Sequence, residues 1–65
     1  MTAKQLVKKV IGLSEETAKK MIEENNFLVR IMLRDGKPLR GDCSYRKNRI
    51  NLYIKNNIVV KAIIG

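Results

Sequence analysis

Apolar residues at Ala3, Leu6, Val7, Val10 and Ile11 recur at helical spacing, with Lys4, Lys8 and Lys9 mostly on the other side. Thr2 is placed to cap that turn and Gly12 interrupts it, so residues 1–11 read as an N-terminal arm or short helix. Ser14 then offers a side-chain oxygen to the free amides of a second helix. The first turn of that helix carries Glu15 and Glu16, where the helix dipole favours negative charge. Ala18, Met21 and Ile22 form its buried stripe, Lys19, Lys20, Glu23 and Glu24 face water, and Leu13 is set to staple against Ala18. Asn25 and Asn26 end it.

From Phe27 the period changes to two. Val29, Ile31 and Leu33 alternate with Leu28, Arg30, Met32 and Arg34, the pattern of a strand with one buried face. Asp35-Gly36 breaks this strand, and residues 35–48 hold Gly36, Pro38 and Gly41 without a sustained period, which predicts a long exposed loop. Alternation resumes from Arg49 to Lys55, with Ile50, Leu52 and Ile54 on one face and Arg49, Asn51 and Tyr53 on the other. Asn56-Asn57 suits a tight hairpin turn because Asn tolerates positive φ, and Ile58 to Ile64 reads as a third, largely apolar strand. The smallest arrangement that buries all these faces is an α+β domain of residues 12–65, one helix packed on a small mixed sheet, with the long loop between strands one and two. That loop is long enough for a crossover, so strands one and two can be parallel, whereas the Asn-Asn turn makes strands two and three antiparallel.

A chain of 65 residues buries only about 60% of its unfolded surface, which disfavours a deep catalytic cleft and favours a binding module over an enzyme. With no His and a single Cys, zinc centres and His-based triads are excluded, no metal or cofactor is expected, and no intrachain disulfide can form. No apolar run reaches the roughly 18 residues of a membrane span, and the lysines among the first apolar residues are unlike a signal-peptide core. A soluble, cytoplasmic product is the expectation, with no membrane partner and its oligomeric state open. Fourteen Lys and Arg against six Asp and Glu give a formal charge of +8, a bias toward anionic partners.

Three fragments in order, Gly12 to Ile22, Tyr45 to Ile54 and Ile64-Gly65, resemble the potato inhibitor I family of serine protease inhibitors, to which the barley chymotrypsin inhibitor and eglin belong. The likeness spans residues 10–65 and is greater to the bacterial and fungal branch. Members of that branch carry a similar Asp-Gly before the loop, Tyr-Arg after the reactive bond and Arg-hydrophobic-Asn in the next strand. The resemblance implies a rigid, substrate-like reactive loop at Leu39, Arg40, Gly41, Asp42, Tyr45 and Arg46, presented to a subtilisin- or chymotrypsin-like protease, with the reactive bond between Cys43 and Ser44. It also implies that Arg49 and Asn51 support the loop from below and that Gly65 packs near them. Such a loop inhibits because it is preorganised, so that it loses little entropy on binding and its cleaved ends stay in place and rejoin.

This sequence departs from the family at the reactive bond. Relatives place Thr before it and an acid just after it, whereas here Asp42 precedes Cys43 and Ser44 follows. Asp42 can still pair with Arg49, but a carboxylate on that side is costly to desolvate, which points to weak inhibition or an unusual protease. A reading from another class rests on the charge: a nucleic-acid-binding module using Arg30, Arg34, Arg46, Lys47, Tyr53 and Lys55, the tyrosine stacking on bases. A third keeps the fold as a small structural or viral assembly protein without inhibition.

Overall fold

A computed structural model describes residues 2–38 and 46–65. Two helices, α1 (Ala3–Val10) and α2 (Glu15–Glu24), precede four strands, β1 (Leu28–Arg34), β2 (Lys37–Pro38), β3 (Arg49–Lys55) and β4 (Ile58–Ile64). The strands form one mixed sheet in the order β2-β1-β3-β4, in which β1 and β3 are parallel and the other two pairings antiparallel. The α+β class is as the sequence predicts, and the two central strands take the parallel pairing that the length of their connection allows.

The helix ends follow from local chemistry. Thr2 and Gln5 form a reciprocal capping box at the start of α1, at 3.0 and 3.2 Å, and the Ser14 hydroxyl accepts from the Thr17 amide at 3.3 Å at the start of α2. Gly12, at φ 92°, turns the chain out of α1 and donates its N–H to the Val59 carbonyl at 2.8 Å. The Val59 N–H returns a bond to Leu13, also at 2.8 Å, so the connector between the helices is bridged onto β4.

The core is a single cluster. Leu6 and Val10 of α1, Ala18 and Ile22 of α2, Ile50, Leu52 and Ile54 of β3, and Val59 and Ala62 of β4 are all buried in it. Two helices rather than one therefore cover the sheet, because the amphipathic stripe of residues 3–10 docks into the same core. Ile11, expected on that stripe, lies past the end of the helix and is 47% exposed.

Two irregularities shift the phase of the strands. Ile31 pairs with Leu52 but Leu33 pairs with Tyr53, so β1 skips one residue at Met32. Beyond the skip Leu33 lies beside Tyr53, on the face away from the helices. Arg34 lies beside Ile54, on the helix-covered face. The predicted alternation of β1 is therefore inverted at its last two residues, the expected consequence of inserting one residue into a period of two. A second skip at Val60 lets both Val59 and Ala62 reach the core.

The predicted long loop begins with a hairpin. Asp35 and Gly36, at φ 52° and 80°, fold Lys37-Pro38 back onto Arg34 and Leu33. Asp35 also ties this corner to β3, donating its N–H to the Ile54 carbonyl at 2.8 Å and accepting from the Asn56 amide at 2.7 Å. Asn56 and Asn57 both have positive φ, 52° and 66°, as a two-residue hairpin of the mirror-image type requires. Replacing Asn57 with Val, whose branched Cβ clashes in that region, should cost about 1–2 kcal/mol. Thermal unfolding should report it as a fall in Tm of about 5–10 °C.

Candidate functional site

Side chains alternate along β3, and with Ile50, Leu52 and Ile54 in the core, Arg49, Asn51 and Tyr53 face the opposite side of the sheet. Polar residues on an outer face ordinarily stay in water, yet Arg49 is only 6% exposed and Asn51 3%. β3 is flanked by β1 and β4, so neither residue sits on a sheet edge.

Arg49 is fixed by geometry. Its Nε and one terminal nitrogen donate to the main-chain oxygen of Gly65 at 3.2 and 2.7 Å, and the Gly65 N–H donates back to the Arg49 carbonyl at 2.9 Å. A planar guanidinium presents both donors at a fixed spacing, which a lysine cannot do. The Arg46 N–H reaches the same Gly65 oxygen at 3.4 Å, the Arg49 N–H closes a turn onto the Arg46 carbonyl at 3.3 Å, and the Leu28 N–H binds the Asn48 carbonyl at 2.7 Å. The entry to β3 is thus held to β4 on one side and to β1 on the other.

Asn51 lies opposite Arg30 of β1 and Ile63 of β4. Its side-chain oxygen is buried and accepts no hydrogen bond among the described residues. A buried amide oxygen without a donor forgoes about 1–3 kcal/mol. Arg30 is half-buried, its Nε wholly so, and it brings a second guanidinium onto the same face.

The expected support residues Arg49, Asn51 and Gly65 therefore share one face and one end of the sheet, with Arg49 bonded to Gly65 and Arg46 exposed beside them. The reactive bond at Cys43 and Ser44, and the loop positions Leu39, Arg40, Gly41, Asp42 and Tyr45, lie outside the described residues.

Of the residues proposed for nucleic acid, Arg34 stands apart from the rest. Arg34 is turned to the helix side, where its Nε and a terminal nitrogen grip Glu15 at 3.0 and 2.7 Å. This removes it from the face that carries Arg30 and Tyr53, a correction that follows from the skip at Met32. Tyr53 is half-buried with the Lys61 ammonium 5.4 Å from its ring centroid, a cation–π contact on the ring that was to stack on bases. Lys47 is exposed in the turn before β3 and Lys55 at the far end of that strand.

A shallow depression along α2, lined by Glu15, Glu16, Lys19, Lys20, Glu23 and Asn57, belongs to the helix surface and holds none of these groups. Among the described residues no cluster of His, Cys, Asp and Glu could hold a metal ion, and no helix is long and apolar enough to cross a membrane. Sequence reading missed the place of Arg30 beside Asn51, because strand register is invisible within a single strand. Compared with known proteins, the chain matches no family model and no curated protein.

Proposed function

We propose that this protein is an inhibitor of subtilisin- or chymotrypsin-like serine proteases, built as a divergent relative of potato inhibitor I. In this reading residues 39–46 are offered as substrate, the Cys43 side chain fills the primary specificity pocket, and the bond to Ser44 is the one attacked. The observation that carries the reading is the buried Arg49 fork on Gly65, with Asn51 buried next to it on the sheet face away from the helices.

An inhibitor of this kind needs a scaffold that fixes both flanks of the segment the protease attacks. If the flanks hold still, little entropy is lost on docking, and the amine released by acylation remains beside the acyl group, so religation outruns hydrolysis. Here one flank, Lys37-Pro38, is paired with β1, and the other, Arg46, is bonded to Gly65 and to the turn that enters β3. Arg49 adds a fixed positive charge next to that second flank, and Asp42 is the carboxylate that the reading assigns to it.

The test is a titration of subtilisin, chymotrypsin and elastase with the purified protein. At least one enzyme should lose activity in proportion to added protein while the chain stays largely intact. Alkylation of Cys43 should abolish that loss by overfilling the pocket. Rapid digestion with no loss of protease activity would end the proposal.

A further inference from the structure

The acidic residues of the chain, Glu15, Glu16, Glu23, Glu24, Asp35 and Asp42, all fall between α1 and β3. Helix α1 and strands β3 and β4 carry no acid. Their cations are the buried Arg49 and the exposed Lys4, Lys8, Lys9, Lys55 and Lys61. α1 packs against β4, the outermost strand on its side of the sheet. The connector that leaves α1 is bonded to Val59, so α1, Ile11 and β4 make up one side of the molecule.

Apolar side chains stand in water on that same side. Ile11 is 47% exposed, Ile58 38%, Val60 54% and Ile63 38%, and Leu28 is the one other large apolar residue so exposed among the described residues. Val60 is the residue that the skip in β4 leaves without a partner on β3, which frees its side chain from the alternation of the strand. Exposed branched aliphatics interleaved with lysines, with no acid among them, are not what solubility alone requires.

We propose that this side of the molecule is a docking surface for a bilayer rich in anionic lipid. Charge complementarity names the occupant, because the surface carries one sign of charge and a second copy of the chain would meet it with the same cations. Single-stranded nucleic acid calls for planar rings on which to stack its bases, and the aromatic ring here, Tyr53, is half-buried with the Lys61 ammonium over it. Aliphatic side chains can instead enter the boundary between headgroups and acyl chains while the lysines meet lipid phosphates. The nearest acid, Glu15, whose N–H binds the Asn57 carbonyl beside Ile58, is paired with Arg34. The expectation of no membrane partner rests on the lack of a spanning run, and a surface that lies on a bilayer needs none. This surface shares no residue with 39–46, so it and the inhibitor reading can stand or fall separately.

The experiment is co-flotation of the whole chain with phosphatidylcholine vesicles, with and without about 30% phosphatidylserine. Binding should need the anionic lipid and weaken about tenfold or more as salt rises from about 0.05 to about 0.3 M. The double variant Lys8→Gln, Lys9→Gln should bind about tenfold or more weakly, since each lysine near such a surface is worth about fivefold. Val60→Ser with Ile63→Ser, which leaves the charge unchanged, should weaken binding by about tenfold. Lys19→Gln with Lys20→Gln, the same loss of charge on α2, should change it about twofold at most. All these side chains are at least partly exposed, so Tm should stay near wild type.

Absence of binding to the anionic vesicles overturns the proposal, and so does equal binding to phosphatidylcholine alone. Equal losses from the α1 and α2 lysine pairs would reduce the effect to diffuse charge and overturn it too. Full binding by the serine variant would remove the apolar half of the surface and with it the proposed site. A single-stranded oligonucleotide that binds where vesicles do not would assign the cations to nucleic acid instead.

Discussion

On the inhibitor reading, Arg49→Ala should turn a tight-binding inhibitor into a slowly consumed substrate. The guanidinium makes two bonds to the Gly65 oxygen from a site only 6% exposed, and removing it leaves that oxygen with the longer Arg46 contact of 3.4 Å. Losing hydrogen bonds to a charged, buried donor costs about 1.5–3 kcal/mol, and the flank at Arg46 is where that loss falls. Hydrolysis by subtilisin should rise at least about tenfold and the inhibition constant should weaken by a similar factor or more. The side chain lies on the sheet face away from the helices, so far-ultraviolet circular dichroism should be unchanged. Arg49→Lys should recover little, because an ammonium cannot reproduce the fork. An Arg49→Ala protein that inhibits as tightly as wild type would remove the single observation on which the functional reading stands.

The largest effect on stability is expected from Leu52→Ala. Leu52 is wholly buried at the centre of β3, with Ile31 of β1 on one side and Ala62 of β4 on the other. Truncating it leaves a cavity that rigid neighbouring strands cannot fill, at about 3 kcal/mol or more. A domain of this length holds only about 3–10 kcal/mol in total, since stability runs at roughly 0.05–0.15 kcal/mol per residue. Urea denaturation should therefore show a midpoint reduced by a third or more, and Tm should drop by about 15 °C. A change under 1 kcal/mol would mean that the core is looser than its burial implies.

How much of this was legible beforehand depends on whether the signal is local. Ser14 as a cap, Ala18 and Ile22 as a stripe, and Asn56-Asn57 as a turn are each decided by a few neighbouring residues, and each is found where the pattern puts it. The skips at Met32 and Val60 are decided by partner strands, so periodicity alone assigned Leu33 to the core and Arg34 to water, and the structure exchanges them. The stripe at Leu6 and Val10 announced an amphipathic helix but not what it would pack against.

Burial of Arg49 and Asn51 runs against the ordinary meaning of polar residues on a strand, so the alternation of β3 did not announce it.

The parallel union of β1 and β3 also orders the events of folding. The β3–β4 hairpin closes through two residues and can form within microseconds, whereas Leu28 meets Arg49 only after the intervening chain has been gathered in. Arg30 and Asn51 are neighbours across this late seam. On the inhibitor reading, a nascent chain with its hairpin made but the seam open lacks one anchored flank, so a protease would simply digest it. Protection and inhibition would then arrive in the same step.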